Sequence, residues 1–284
     1  ATIALVATII SLALLLWRSG RLRGTTLVAP WCWTIAAVTA VGSVELLIAW
    51  WQSQAGESTP PAGPWPGLLR QAAAALTICP AAALLGAKRP QDRPWQFVVL
   101  SLWLVLCLPA AQSALFASRS TLLDTIWNCF LAILLLAGLF NHLGTRFWSA
   151  AICWFIAQVA LLAPRLPGIS RFDHEMLPLA GLVLLACSLI AVRCLPRPRV
   201  AAGWTRVWRD WRDAYGLLWG LRVAERFQAT AKQQRGNVVL QWGGFTNGDP
   251  PRPTDEVPAP AARALRMLLR RFVPADWIES RLKE

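Results

Sequence analysis

Seven apolar stretches, at residues 1–17, 27–51, 68–87, 97–116, 126–143, 147–163 and 177–195, dominate the chain and direct it toward a bundle of membrane helices. A hydrocarbon core of ~30 Å takes about 20 apolar residues of helix, and several of these stretches lie at the short end of that range. With 56% hydrophobic and 15% charged residues, the chain is also too apolar for an ordinary soluble domain. The third stretch is the weakest, because it is alanine-rich, opens near Arg70 and contains Pro80. The first lacks the basic lead-in of a secretory signal and is followed by Arg18, Arg21 and Arg23 instead of a small-residue cleavage site. It is expected to be a retained helix.

The cations between the stretches set an orientation, because short cytoplasmic loops carry the Lys/Arg excess. The first loop holds Arg18, Arg21 and Arg23, and the third holds Lys88, Arg89 and Arg93. The second has no cation, the fourth only Arg119, and the sixth sets Arg165 and Arg171 against Asp173 and Glu175. The fifth carries Arg146, and a strongly basic tail follows the seventh stretch. These counts place the odd loops and the carboxy terminus inside, and the amino terminus outside. Trp50, Trp51, Trp65, Trp95, Trp127 and Trp148 stand near the boundaries, as an interfacial belt requires. The expected fold is an all-α polytopic membrane protein of about seven transmembrane helices over 1–195. A small, basic, mostly helical cytoplasmic region follows over 196–284, and the membrane is expected to be a bacterial inner membrane.

Ionisable groups inside such a domain are costly and face a bundle interior or a cavity, usually beside a partner. Glu45 is the only acid well inside a stretch, and Arg70 lies at a comparable level of the next helix. The two form either a structural pair or part of a proton, cation or ligand site. Gln112, Asn128 and Gln158 also fall in the outer halves of their helices, and with Glu45 they form a candidate outward-facing pocket. Amides at such positions also serve as interhelical glue. Asn141 and His142 close the fifth helix, where a cap or interface role is expected. Asp173, His174 and Glu175 have metal-binding and acid–base chemistry, but consecutive side chains diverge and rarely meet at one atom. The seven cysteines are scattered without a CxxC pair, which argues against a disulfide framework or a zinc site, and no cofactor motif is present. Pro30, Pro80 and Pro109 can each free a carbonyl one turn earlier.

In the tail, 200–234 has helical periodicity, with Trp204, Val207, Trp208, Trp211, Tyr215, Leu218 and Trp219 on one stripe. A helix rich in tryptophan and arginine directly after a membrane exit is expected to lie on anionic headgroups. Its expected contact residues are Trp204, Trp208, Arg209, Trp211, Arg212, Tyr215 and Trp219; the competing arrangement docks the same stripe on protein. A lone strand at 238–242 is expected to offer its edge to a protein partner or a second copy, or else to be an irregular segment packed on the helix. Then come a Pro-rich linker at 247–260 and basic helices over 261–282, the first with Leu265, Leu268, Leu269 and Phe272 apolar. The tail holds 16 basic against nine acidic residues, a net +7. Anionic lipid is the expected partner, and no nucleic-acid motif accompanies the charge.

No sequence motif specifies a reaction. A retinal Schiff base would need a lysine in the seventh helix, and the lysines are Lys88, Lys232 and Lys283. Scarce buried charge and a tail without a phosphate loop favour a structural, scaffold or accessory subunit. A transporter or small-molecule receptor using the Glu45 pocket comes next, and a membrane enzyme acting on a lipid-linked substrate third.

Overall fold

A computed structural model describes residues 1–55, 64–115, 121–163, 176–195, 203–233, 238–247, 252–253 and 257–283. Every apolar stretch is helical: α1 Thr2–Ser19, α2 Val28–Ala55, α3 Trp65–Leu76, α4 Cys79–Leu85, α5 Trp95–Leu115, α6 Thr121–Leu143, α7 Trp148–Leu162 and α8 Met176–Cys194. Five of these segments are long and apolar enough to cross a membrane, namely Val28–Gln54, Trp65–Leu85, Trp95–Gln112, Thr125–Leu143 and Met176–Cys194. Thr2–Trp17 and Trp148–Leu162 are apolar but shorter. The third segment is two helices, because the chain breaks at Thr77 and Ile78, just ahead of Pro80. Proline has no N–H to offer the preceding turn, so a helix weakens there.

The bundle packs through small residues. The alanines that weaken the hydropathy of the third segment are its contact surface: Ala73, Ala74 and Ala75 are all buried. Membrane helices without a solvent-driven collapse associate through such close backbone approach. Gly42 of α2 faces Thr8 of α1, and a Cβ at Gly181 of α8 would stand 2.7 Å from the Leu161 Cγ of α7. Ile3, Leu5, Ile9, Ile133, Leu104 and Phe97 are among the large apolar side chains on the outside of this bundle, as a lipid-facing surface requires.

The carboxy-terminal unit comprises α9 Gly203–Gln233, β1 Val238–Gln241, β2 Gly244–Asn247, β3 Arg252–Pro253, α10 Ala259–Leu269 and α11 Ala275–Lys283. The strand expected to be alone is instead the first of an antiparallel sheet ordered β1-β2-β3, with Val238 opposite Asn247 and Gln241 opposite Gly244. The turn residues Trp242 and Gly243 close a hairpin, so one edge of β1 is used within the chain. The expected linker is correspondingly shorter: Asn247 belongs to β2, Arg252 and Pro253 form β3, and α10 begins at Ala259. Residues 248–251 and 254–256 of that segment lie outside the described residues.

The tryptophan stripe expected at the membrane surface is the core of this unit. Trp208, Trp211 and Tyr215 have 0% exposure and Trp219 has 8%. Trp211 stacks on Trp208 and on Tyr215, while Phe272 meets Trp211, Tyr215 and Trp219 edge-on with ring centroids 5.0–5.2 Å apart. The physical reason is the second stripe. Leu265, Leu269 and Phe272 are buried with Ile278 against the rings of α9, so each apolar face covers the other. Trp204 is half-buried, with the Arg266 guanidinium over its ring.

Gly216 interrupts α9 with φ +79° and ψ −172°, a left-handed conformation that glycine alone adopts without strain. The space is closed as well: a Cβ there would overlap the Asn141 side chain and stand 2.6 Å from the Asn141 carbonyl oxygen. The break leaves the Leu218 N–H without a helical partner, and Asn141 Oδ1 accepts it at 3.1 Å. Leu218, expected on the buried stripe, is turned outward and is 42% exposed. Replacing Gly216 with alanine is therefore predicted to destabilise the protein by about 2 kcal/mol or more. Gly67→Ala, where nothing lies within 4 Å, should stay near wild type. Thermal unfolding in detergent checks the pair; equal midpoints for the two variants would refute the close approach of α6 and α9.

Candidate functional site

Polar side chains concentrate at three depths of the molecule. Nearest the end of the bundle away from the carboxy-terminal unit, Glu45 of α2 meets Arg70 of α3. Arg70 Nε donates to Glu45 Oε1 and Nη2 to Oε2, both at 2.9 Å. This fork satisfies both carboxylate oxygens and is the strongest geometry an ion pair adopts. Glu45 is 11% exposed and Arg70 31%, so the charges neutralise each other where an isolated one would be costly. The arrangement clamps α2 to α3.

The expected pocket around this pair is divided. Gln158 of α7 lies deeper and donates from Nε2 to the Thr77 carbonyl at 2.8 Å, and Trp154 Nε1 approaches the same oxygen at 3.3 Å. Thr77 is seven residues beyond Arg70, or ~10 Å along a helix. Gln158 thus caps the break between α3 and α4 and does not join Glu45. Gln112 is exposed on α5 and Asn128 is half-buried on α6. Of the five residues expected together, the structure joins only Glu45 and Arg70; an amide follows whichever unmet carbonyl lies nearest.

The densest polar assembly is where the carboxy-terminal unit meets the bundle. Thr26, between α1 and α2, is 3% exposed. Its hydroxyl donates to the Ala87 carbonyl at 2.7 Å and lies 3.1 Å from the Tyr215 hydroxyl, while its N–H donates to the Phe272 carbonyl at 2.9 Å. Tyr215 also reaches the Phe272 carbonyl at 3.1 Å. Burial pushes the phenol well above its ordinary range, with Thr26 opposing weakly, so it stays protonated. Alongside, Trp219 Nε1 donates to the Leu84 carbonyl at 2.8 Å and the Arg89 N–H to the Arg271 carbonyl at 3.0 Å. At the loop after α6, Trp242 Nε1 donates to the Gly144 carbonyl at 2.9 Å.

A charge network closes this junction. Arg146 reaches Asp210 at 3.3 Å and Asp213 at 3.7 Å, Asp210 also pairs with Arg281 at 3.2 Å, and Asp213 with Arg212 at 2.6 Å. Arg212, expected on the membrane, is buried, donates to the Trp242 carbonyl and covers the Trp242 ring. Arg209 donates to the Gly243 carbonyl at 2.6 Å. Both are therefore held by protein, because the β1–β2 hairpin turns its carbonyls toward α9. Thr26 and Ala87 were missed by sequence reasoning; the only trace is a pair of threonines closing a cationic loop.

Among the described residues no group of three or more His, Cys, Asp or Glu side chains could hold a metal ion, and the cysteines are free. Asp173, His174 and Glu175 lie outside the described residues. Comparison with protein-family models, curated proteins and solved structures gives no match.

The Glu45–Arg70 fork has a measurable consequence. Glu45→Gln or Arg70→Gln alone is expected to cost about 1–3 kcal/mol, because the remaining charge loses its partner. The double change should recover part of that loss. Thermal unfolding in detergent of the two single variants and the double variant measures the coupling; strict additivity would exclude a structural pair.

Proposed function

We propose that the protein is a structural or accessory subunit of a cytoplasmic membrane, a seven-crossing anchor that holds a folded basic unit against the inner face. The observation that carries this reading is the convergence of three loops on one unit. Thr26 from the first, Arg89 from the third, and Gly144 and Arg146 from the fifth all bond to the carboxy-terminal region. These are the odd-numbered loops whose cations place them inside.

The same contacts support crossing by the two shorter helices. The loop after α6 and the start of α9 meet through Arg146 and Asp210, so the chain between them returns to the face it left. With α8 long enough to span, α7 must cross as well. The first helix runs antiparallel to α2, with Trp31 Nε1 bonded to the Leu15 carbonyl near one end and Thr8 against Gly42 deeper in. Gly42 is 14 residues beyond Val28, ~21 Å along the axis, and the seven residues before Thr8 add ~10 Å. That is close to the thickness of the hydrocarbon core.

An anchoring role follows from how the polar groups are used. Glu45, the candidate for ion or ligand chemistry, is occupied by Arg70, and the remaining buried charges tie the carboxy-terminal unit in place. Two experiments test the proposal. Impermeant thiol labelling of intact cells, in a background without native cysteines, should modify a cysteine introduced at Gln54 and spare one at Gln91; the reverse pattern would overturn the orientation. Affinity purification in mild detergent should recover protein partners with the full chain and lose them on truncation after residue 195. Recovery of the full chain alone, with a transport phenotype abolished by Glu45→Gln, would replace the anchor with a transporter.

A further inference from the structure

The second half of α9 carries a surface that the anchoring role does not use. Between the break at Gly216 and Phe227, its exposed positions are Leu218, Leu221, Arg222, Glu225 and Arg226, successive points on one helical face. Leu218 is 42% and Leu221 55% exposed. Two cations from other elements border this face, Lys88 after α4 and Arg271 after α10, close enough for Arg222, Arg226 and Arg271 to act on Lys88, while the Arg89 guanidinium turns to the Gly24 carbonyl. The backbone bond from Arg89 to the Arg271 carbonyl brings the two turns together, and the Trp219 indole N–H, donating to the Leu84 carbonyl, sets α9 beside the end of α4. Arg222 lies over the Trp219 ring, 5.3 Å from its centroid. No ion pair among the described residues neutralises Lys88, Arg89, Arg222, Arg226 or Arg271; Glu225 shares the face and Asp92 lies in the adjoining turn, together too few acids to balance them.

The depth of this surface is fixed by its neighbours. The Leu218 N–H bonds to Asn141 in the last turn of α6, and Leu84, which accepts from Trp219, is in the last turn of α4. Both helices belong to segments apolar enough to span a membrane, so the face lies level with their inner ends. Leu85, at the end of α4, is 44% exposed. Exposed leucines at that level, bordered by unneutralised cations, match the two halves of a phospholipid: acyl chain and phosphate. A free anion would have no use for the leucines.

We infer that Lys88, Arg222, Arg226 and Arg271, with Leu218 and Leu221, bind the headgroup and upper acyl chain of an anionic phospholipid of the inner leaflet. The inference rests on the orientation proposed above, while the binding face itself differs from the tryptophan stripe, which is buried. Burial, and then the adjacent Arg226, Arg271 and Arg222 guanidiniums, lower the pKa of Lys88, which marks the cations as mutually repelling until an anion joins them. Each cation near an anionic surface contributes roughly fivefold to affinity, so several converging on one phosphate give selectivity over zwitterionic lipid.

The test uses the full chain in nanodiscs of phosphatidylcholine titrated with phosphatidylglycerol, with bound lipid counted by native mass spectrometry after release into detergent. Wild type should retain phosphatidylglycerol selectively. Removing three cations together, by Lys88→Gln, Arg222→Gln and Arg226→Gln, should weaken retention on the order of 100-fold. The matched control Arg23→Gln, Arg263→Gln and Lys283→Gln, with the same loss of charge elsewhere, should retain it. Equal loss in both variants, or none in the first, overturns the site. Arg222→Lys with Arg226→Lys keeps the charge and should keep most of the binding, which separates loss of contact from loss of fold. Displacement of the lipid by millimolar inorganic phosphate at matched ionic strength would show a free-anion site and reject the lipid. Lipid retention in nanodiscs is read without reference to sidedness, so its failure and that of the Gln54 and Gln91 labelling are distinguishable.

Discussion

Mutual burial of two apolar stripes, the aromatic face of α9 and the Leu265 and Leu269 face of α10 continued by Phe272 in the turn after it, is the constraint on which the rest of the molecule depends. Phe272 sits edge-on to three rings, and its carbonyl accepts from Thr26 and Tyr215. The residue that completes the apolar core therefore also presents the oxygen that binds the first loop of the bundle. Core and junction form together. Large aromatic side chains carry the greatest apolar burial of any residue type, which explains why protein, and not the lipid interface, takes the stripe.

The junction also settles the break in α9. A helix that turned at Gly216 without a partner would expose the Leu218 N–H and misdirect Trp219; Asn141 accepts the first, and the Leu84 carbonyl holds the second. The bundle resolves its own break in the same way, with Gln158 on the Thr77 carbonyl. In each case a side-chain amide from one helix replaces the backbone partner that another has lost, as a water-poor interior demands. The Arg70 fork on Glu45 does for charge what these amides do for dipoles.

Much of this was legible in the sequence, and the rest was not for identifiable reasons. Hydropathy located every apolar helix, and depth matching paired Glu45 with Arg70, because both depend on local composition. The helical wheel found Trp208, Trp211, Tyr215 and Trp219, yet an amphipathic pattern does not say what covers its apolar face. The covering stripe was visible in 261–272, but its partner lies more than 40 residues away through a hairpin whose second strand, Gly244–Asn247, is too short and polar to stand out. Leu218 left the stripe because the wheel assumed a continuous helix through Gly216. Pro80 in the first turn of α4 signalled a freed carbonyl, but which amide reaches Thr77 depends on the packing of α7, a tertiary fact. For the same reason Gln112, Asn128 and Gln158 share a level in the sequence without sharing a pocket.

The central claim, that the carboxy-terminal unit is locked to the loops at one end of the bundle, is tested most directly by a disulfide between Gly24 and Pro274. A Cβ at Gly24 stands 3.7 Å from the Pro274 Cβ, inside the range a disulfide requires; the left-handed backbone at Gly24, φ +76°, makes the substitution cost about 1–3 kcal/mol, so each single cysteine variant is first shown to be folded. In a background without native cysteines, Gly24→Cys with Pro274→Cys should oxidise rapidly in the intact membrane. After cleavage at a protease site engineered between residues 248 and 251, the two fragments should migrate as one until reduced. Fragments that separate without reductant, while each cysteine remains reactive, would contradict the account.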